Sequence, residues 1–347
     1  MTAYLNRASV DDGKNIRIEN SYMHDDFYQI NTLKHKIVNW LHSLMLLAGM
    51  ALLLGLLGWI FAGPSGIRWA VIITVISLII SPHLSPKVIL RWYAAKPLIP
   101  HQAPDLYAAL QELAQRAGLP RFPVIYYVPT KMLNAFTTGS PDNAAIALTD
   151  GLLNTLSMRE VNAVMAHEVA HLKNNDLWIM NLSDTISRVT SFFSMSGQLL
   201  LFLNLPLLLA SGHHVSWVGI LVLIFAPTIG VLLQLALSRT REFDADLDAA
   251  LLTGDPEGLA SALAKMKRHQ GGWLARVFFP GYHERQPSIL RTHPQTQERI
   301  DRLLALSPGR FEPLGKANAF GDGTFPFTAT PIPIRKNPRW RFGGIWY

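Results

Sequence analysis

The sequence predicts a mainly α-helical membrane protein that has four transmembrane helices and a cytoplasmic domain with a small β-sheet. Three observations support this fold class. Of the 347 residues, 49% are hydrophobic and only 16% are charged, which is an apolar composition for a soluble protein. The apolar residues are concentrated in four segments. Between the second and third segments stands the pentapeptide His167-Glu168-Val169-Ala170-His171, whose spacing is typical of a metal-binding helix.

The apolar segments predict the membrane helices. Three of them are long enough to cross a hydrocarbon core of about 30 Å; they are residues 40–62, 192–211 and 217–238. The remaining segment, residues 69–80 and second in chain order, is shorter than a span, although residues 63–84 suffice if Arg68 extends to the interface. Glycine and proline at residues 63–66 predict the tight turn of a helical hairpin. A re-entrant or interfacial helix over residues 69–80 is the alternative.

Basic residues predict the orientation of these helices. Residues 212–214 contain no lysine or arginine, whereas several basic residues precede the first segment and follow the second: Arg7, Lys14, Arg17, Lys34, Lys36, Lys87, Arg91 and Lys96. Because such residues stay on the cytoplasmic side, the pentapeptide is expected to face the cytoplasm. The net charge of +7 is explained by contact with anionic membrane lipids, and the sequence shows no nucleic-acid-binding module. The absence of cysteine fits a reducing compartment without requiring one.

The pentapeptide supplies two metal ligands and a base if it is helical. Histidines four residues apart lie one turn above each other, so both imidazoles reach one ion. Glu168 points about 100° around the helix from His167, which suits a carboxylate that contacts a water molecule rather than the metal. Ser157 and Glu160 form a capping-box pattern that predicts the start of this helix. The alternative is a buried helix face that holds two histidines and no metal.

A catalytic zinc requires a third protein ligand and an open position, and Glu242 is the candidate. It follows the last apolar segment, where a helix is expected to leave the membrane. Asp246 lies one turn further on the same face, placed to accept a hydrogen bond from the outer nitrogen of a ligand histidine. Two membrane segments separate His171 from Glu242, so the chain returns to the same side and the ligands can meet. The alternative is a solvated helix end with ordinary ion pairs.

The remaining sequence predicts a helical domain with few strands. Predicted elements are helices at residues 105–117, 256–269 and 294–306, a strand at 124–128, and a hairpin at 137–148 that turns at 140–143. The predicted organisation is a polar N-terminal extension (1–36), a transmembrane hairpin (37–85), the first part of the catalytic domain (86–191), a second transmembrane hairpin (192–238), the second part of the catalytic domain with the third ligand (239–307), and a tail rich in proline and aromatic residues (308–347).

Five motifs lie between residues 84 and 306: Asn134-Ala135-Phe136 with Gly139; Thr149-Asp150-Gly151-Leu152-Leu153; Ala166 to His171 with Asn174 and Asp176; Ser238-Arg239 to Glu242 and Asp246; and Thr292-His293-Pro294 with Arg299-Ile300. Their order and separation resemble those of the HtpX family of integral-membrane zinc endopeptidases, which are related to the CaaX prenyl endopeptidases. The resemblance implies that His167, His171 and Glu242 hold Zn²⁺ and that Glu168 is the catalytic base. It also implies that Asp176 supports the ligands, in addition to Asp246.

The same resemblance implies how the substrate is held. His293 and Arg299 are expected near the developing oxyanion; a helix cap and a surface ion pair are the alternatives for these two residues. An edge strand is expected to pair with an extended polypeptide substrate. Its residues are Asn134, Ala135, Phe136, Thr137 and Gly139.

The function implied by the resemblance is proteolytic quality control. The expected protein is a multi-pass enzyme of the inner membrane that cleaves misfolded or unassembled membrane proteins from the cytoplasmic side, as part of a stress response. A processing peptidase for lipidated or prenylated proteins is one alternative, and a non-catalytic membrane chaperone or scaffold is another. The sequence leaves the oligomeric state open.

Both ends of the chain lie outside the resemblance. Residues 1–36 are polar, whereas the tail carries more large apolar side chains over residues 320–347 than a solvated segment normally does. We therefore expect the tail to dock on the catalytic domain or the membrane interface. A disordered linker is the alternative.

Overall fold

The computed structural model describes residues 12–80, 86–210, 216–269 and 297–306. This part of the chain is mainly helical and contains one small mixed sheet. Several predictions fall outside the described residues, namely those on His293, on the loop at 212–214, on the start of the helix at 294 and on the tail 308–347. The chain divides into two compact units, and each unit is described by itself below.

The described elements follow one another as thirteen helices and strands. In chain order they are α1 (Asp12–Ile80), α2 (Pro86–Trp92), β1 (Lys96–Pro97), α3 (Pro104–Arg116), β2 (Val124–Val128), β3 (Ala135–Thr138), β4 (Ala145–Thr149), α4 (Asp150–Thr155), α5 (Met158–Lys173), α6 (Asp176–Ala210), α7 (Trp217–Thr253), α8 (Pro256–His269) and α9 (Gln297–Ala305). The strand predicted at 124–128 and the helix predicted at 256–269 are confirmed with the same bounds. The helix predicted at 105–117 is confirmed as α3, and it ends before Gly118, which has φ +68°.

The first unit contains the long apolar helices. It comprises the described residues of the ranges Met1–Lys87 and Ala170–Asp248. Three of the described helices are long and apolar enough to cross a membrane, over Lys36–Ile79, Asp176–Pro206 and Trp217–Thr253. Leu57, Ile186 and Ala226 belong to the core that α1, α6 and α7 share. Many large apolar side chains of these helices are exposed, as expected for helices that contact lipid. Helix α6 begins at Asp176, so the boundary predicted at 191/192 lies inside a continuous helix.

Helix α1 turns back on itself at Ala62 and Gly63. Both residues leave the helical conformation, and Gly63 has φ +56°, which is strained for a residue with a side chain. Gly58 and Gly66 approach so closely that a Cβ atom on Gly58 would lie 2.8 Å from the carbonyl oxygen of Gly66. A straight helix would separate these glycines by about 12 Å along its axis. The close approach therefore confirms the hairpin turn that was predicted at residues 63–66.

The second unit contains the sheet. It comprises the described residues of Val88–Val169, Ala249–Arg285 and Gln295–Tyr347. The strand order is β1-β2-β4-β3, in which β2 and β4 are parallel and the other two pairs are antiparallel. Strands β3 and β4 form the predicted hairpin, and the amide of Asn143 donates to the carbonyl of Ser140 at 2.9 Å in its turn. Because β3 is the last strand in the order β1-β2-β4-β3, it lies at an edge of the sheet.

Helix α5 begins at the predicted capping box. The amide of Ser157 donates to Glu160 Oε2 at 2.8 Å, which confirms that pattern. Glu160 also accepts hydrogen bonds from Ser261 at 2.6 Å and from Lys265 at 2.7 Å, both on α8. Burial raises the pKa of Glu160, but these hydrogen bonds, led by the one from Lys265, outweigh it and hold the pKa below its ordinary value. The first turn of α5 is thus anchored to α8 by an ionised carboxylate.

Candidate metal centre

Helix α5 is buried along most of its length and carries the pentapeptide with it. His167, Glu168 and His171 are only 4%, 2% and 7% exposed. Polar groups that are buried this deeply require partners, so their neighbours determine what they can do. Apolar residues recur near helical spacing along α5 and are all buried; they are Val161, Val164, Met165, Val169 and Leu172.

Glu242 of α7 completes a cluster with the two histidines. His167, His171 and Glu242 each offer a ligand atom, and these atoms all lie within 4.8 Å of one another. Nε2 of His171 is 3.7 Å from Oε1 of Glu242. Two imidazoles and one carboxylate form a donor set found in catalytic zinc sites, where water or substrate takes the fourth position. The residues therefore fit a Zn²⁺ ion, and the cluster could hold one.

Asp176, the first residue of α6, supports His171. Its Oδ2 atom lies 2.8 Å from Nδ1 of His171. When Nδ1 carries the proton, the lone pair of Nε2 is free to bind a metal. Asp246 was predicted from its helical position to make such a hydrogen bond, but Asp176 makes it to His171. Asp246 is buried, and its own contact with a ligand histidine stays a prediction.

Glu168 is held from the edge strand β3. Oγ1 of Thr137 donates to Oε2 of Glu168 at 2.6 Å, and both side chains are buried. Thr137 was predicted only as part of the strand that pairs with substrate, so its contact with the carboxylate was missed. A residue at the middle of β3 can serve both purposes, since its backbone runs along the edge while its side chain orients Glu168.

The other residues predicted to bind substrate lie on or beside β3. Ala135 and Phe136 are buried residues of the strand, and the amide of Asn134 donates to Thr149 Oγ1 at 3.0 Å. Gly139 has φ +100°, a conformation that favours glycine where the strand ends. Among the described strands, β3 pairs only with β4. No other described strand occupies the edge that an extended substrate would need.

Arg299 lies beside the first histidine of the pentapeptide. It belongs to α9, is 1% exposed, and its Nη2 atom lies 3.4 Å from Nε2 of His167. The surface ion pair considered for Arg299 is therefore wrong, because the side chain is buried. A guanidinium is always charged and carries only donors, so it is suited to stabilise negative charge on an oxygen atom in the site. The role of His293, outside the described residues, stays a prediction.

A chain with apolar helices long enough to span a membrane, two histidines of an H-E-x-x-H helix and a glutamate from a second helix has the features of a membrane metallopeptidase. The protein-family model described as "Peptidase family M48" matches residues 100–307 of the chain. The chain belongs to peptidase family M48.

The names of similar proteins support this family assignment. The chain is 35% identical over 297 residues to a "Protease HtpX homolog" of Paraburkholderia phytofirmans, an alignment that covers 79% of this chain and 99% of the relative. It is 37% identical over 287 residues to the "Protease HtpX homolog" of Ralstonia nicotianae, with coverage of 78% and 97%. The resemblance to the HtpX family is thereby confirmed. A solved structure, that of S. mikatae Ste24p, is 21% identical with a TM-score of 0.43, and the match covers 79% of this chain and 66% of that protein.

Proposed function

We propose that this protein is a zinc endopeptidase of the inner membrane that cleaves misfolded or unassembled membrane proteins from the cytoplasmic side, as part of quality control under stress. The observation that carries the proposal is the buried cluster of His167, His171 and Glu242. Membership of peptidase family M48 and the similarity to HtpX homologs support the peptidase activity. The apolar helices support action at a membrane.

The cluster would form the metal site. In this proposal His167, His171 and Glu242 hold Zn²⁺, while Asp176 and Asp246 orient the histidines. When bound, the ion would supply a Lewis acid that lowers the pKa of a water molecule and polarises the scissile carbonyl. The 2.8 Å hydrogen bond between Asp176 and His171 supports this assignment, because ligand histidines usually donate their outer N–H to a carboxylate or carbonyl.

The remaining residues would move the proton and stabilise charge. Glu168 accepts a proton from the attacking water and delivers it to the leaving amine, and the hydrogen bond from Thr137 keeps its carboxylate in one orientation. Arg299, with His293, stabilises the negative charge that develops on the carbonyl oxygen. The buried position of Arg299 beside His167 supports its part of this role.

The edge strand would select the substrate. Residues 134–139 would pair with the substrate backbone through main-chain hydrogen bonds, which only an extended segment can make. A folded globular surface does not offer such a segment, whereas a misfolded or unassembled chain does. The position of β3 at the edge of the sheet supports this preference.

We also propose four membrane crossings, in which both halves of α1 span the bilayer. The reversal at Ala62 and Gly63, with the close approach of Gly58 and Gly66, supports a hairpin rather than one long span. A hairpin returns the chain to the side from which it came. Helices α6 and α7 then form a second pair, so α5 and the C-terminal end of α7 lie on one side. The basic residues at both ends of the first hairpin support a cytoplasmic location for that side.

Thiol labelling tests this topology, because the chain contains no cysteine of its own. In spheroplasts, a membrane-impermeant maleimide should label Gly212→Cys without permeabilisation. Lys34→Cys and Lys87→Cys should be labelled only after permeabilisation. Labelling of Gly212→Cys only after permeabilisation would overturn the orientation. Labelling of Lys87→Cys from outside, with Lys34→Cys protected, would show that residues 69–80 do not cross.

Cleavage assays test the function. Purified full-length protein in detergent should cleave unassembled or misfolded membrane proteins when Zn²⁺ is added, and a chelator should abolish the cleavage. The same proteins in their assembled state are the matched control and should be cleaved much more slowly. Cleavage of prenylated or lipidated peptides alone would favour a processing peptidase. Binding of misfolded proteins without any cleavage, by protein with bound zinc, would favour a chaperone.

A further inference from the structure

Arg241, which precedes Glu242 in the chain, is buried although it carries a full charge. The residue is 5% exposed. Its Nη1 atom lies 3.4 Å from Oδ1 of Asp176, and its Nη2 atom lies 2.6 Å from Oδ2 of Asp244. Nη2 also donates to the carbonyl oxygen of Asn39 at 3.4 Å. A buried cation is costly unless such partners surround it, so Arg241 and the two carboxylates have to be considered as one group.

Asp176 uses both of its carboxylate oxygens in this group. Oδ2 contacts Nδ1 of His171 at 2.8 Å, and Oδ1 accepts from Arg241. The two oxygens belong to one planar carboxylate, so a partner that fixes Oδ1 also fixes the direction in which Oδ2 faces the imidazole. Arg241 thereby restricts the acceptor that determines the orientation of His171.

Arg241 is also held by α1, at a residue just before the first apolar segment. Besides its carbonyl contact with Arg241, Asn39 on α1 donates through Nδ2 to Asp244. Asp248 lies one turn after Asp244 on α7 and is fully buried. It accepts hydrogen bonds both from α1 and from the end of α5. Its hydrogen-bond donors are Lys36 at 2.6 Å, Asn174 at 2.7 Å and Lys173 at 3.1 Å. Lys173 and Asn174, just after His171, are thus hydrogen-bonded to α7, the helix that carries Arg241.

We propose that Arg241 is a positioning residue of the metal centre, which orients Asp176 and, through it, His171. The proposal rests on the zinc site proposed above and extends it to the first membrane helix, since Asn39 and Asp244 hold the guanidinium in place. Arg241 touches neither substrate nor metal in this role. Its effect is on how well His171 is aligned as a ligand.

The shape of the guanidinium explains why arginine fits this position. Its nitrogens lie in one plane and form a fork that can engage two carboxylates at fixed angles. A lysine ammonium could stay near Asp176 but could not hold Asp176, Asp244 and the Asn39 carbonyl together. Changes to residues that orient metal ligands typically lower metal affinity by about 10–100-fold. We expect a change of that size for Arg241→Gln and a smaller one for Arg241→Lys.

Zinc affinity of the full-length protein, measured by competition with a chromogenic chelator in detergent, tests the proposal. Arg241→Gln should bind zinc about 10–100-fold more weakly than wild type. Asp176→Asn should show a similar loss, and the double variant should be little worse than either single one, because both act through the same hydrogen bond. Arg188→Gln is the matched control, since Arg188 forms an exposed ion pair with Asp184 on α6, and it should bind zinc as wild type does.

Activity at buffered zinc concentrations separates positioning from folding. If Arg241 acts on affinity, peptide cleavage by Arg241→Gln should recover as zinc is raised, and Arg241→Lys should need less zinc for the same recovery. Should Arg241→Gln fail to fold, Arg241→Lys and Asp244→Asn carry the same test. Wild-type zinc affinity in folded variants at position 241 would overturn the proposal and leave the zinc site intact. A wild-type protein that takes up no zinc would overturn the zinc site itself.

Discussion

Replacement of Glu168 by glutamine is expected to lower kcat/KM for peptide cleavage by at least about a hundredfold, because general acid–base catalysis contributes roughly 10²–10⁴-fold. The amide has nearly the volume of the carboxylate, and its oxygen can still accept the hydrogen bond that Thr137 donates at 2.6 Å. The fold should therefore survive. Zinc content should also be unchanged, since Glu168 is not among the three clustered residues proposed as ligands.

A second glutamate provides the control for this experiment. Glu112 lies on α3 and pairs with Arg116 at 3.1 Å on the surface, so Glu112→Gln should leave turnover and zinc content as in wild type. Turnover of Glu168→Gln within about tenfold of wild type would be too small a loss for a general base. That result would show that Glu168 does not accept the proton from water.

The sequence predicts those elements whose signals are local. The Ser157 and Glu160 pattern places the start of α5 correctly because a capping box is made by residues three positions apart. The hairpin of β3 and β4 is predicted because its turn residues stand between two apolar strands. The reversal at Ala62 and Gly63 follows from a glycine and a proline at adjacent positions. In each case, the residues that determine the structure are neighbours in the chain.

The contacts that build the site are not local, and the sequence predicts them less well. Thr137 and Glu168 are 31 positions apart, and Asp176 and Arg241 are 65 apart. Helical periodicity assigns Asp246 to the same face as Glu242, but it cannot say which of several acidic residues reaches a given imidazole. The carboxylate that reaches His171 is Asp176, only five positions along the chain and beyond the turn at 174–175 that ends α5. Periodicity within one helix does not describe a contact across such a turn.

Hydropathy identifies membrane segments but not the full helices that contain them. Residues 192–210 of the predicted apolar segment belong to α6, which begins much earlier, at Asp176. Likewise α7 continues past the apolar residues to Thr253 and carries Glu242 with it. These extensions mix polar and charged residues with apolar ones, so the hydropathy pattern weakens before it reaches their ends. They are also the parts of α6 and α7 that supply Asp176, Arg241 and Glu242.

Replacement of Glu242 by alanine is expected to remove both the bound zinc and the peptide cleavage. Glu242 is the only carboxylate in the cluster, and alanine would leave two histidines to hold the ion. The loss of zinc affinity should exceed the roughly 10–100-fold that changes to supporting residues cause. Metal analysis of the purified protein, together with a cleavage assay, measures both effects. Glu257→Ala, at a glutamate of α8 with 53% side-chain exposure, is the matched control and should keep both.

The variants of Glu242 and Glu168 together separate ligand from base. Both residues are buried carboxylates near the same histidines, and loss of either is expected to abolish activity, so activity alone cannot tell their roles apart. Zinc content can, since only a ligand is needed for the ion to stay bound. Glu168→Gln should be inactive with full zinc, and Glu242→Ala should be inactive without it. Full zinc stoichiometry in Glu242→Ala would remove Glu242 from the ligand set, and His167 and His171 would then require a different third partner.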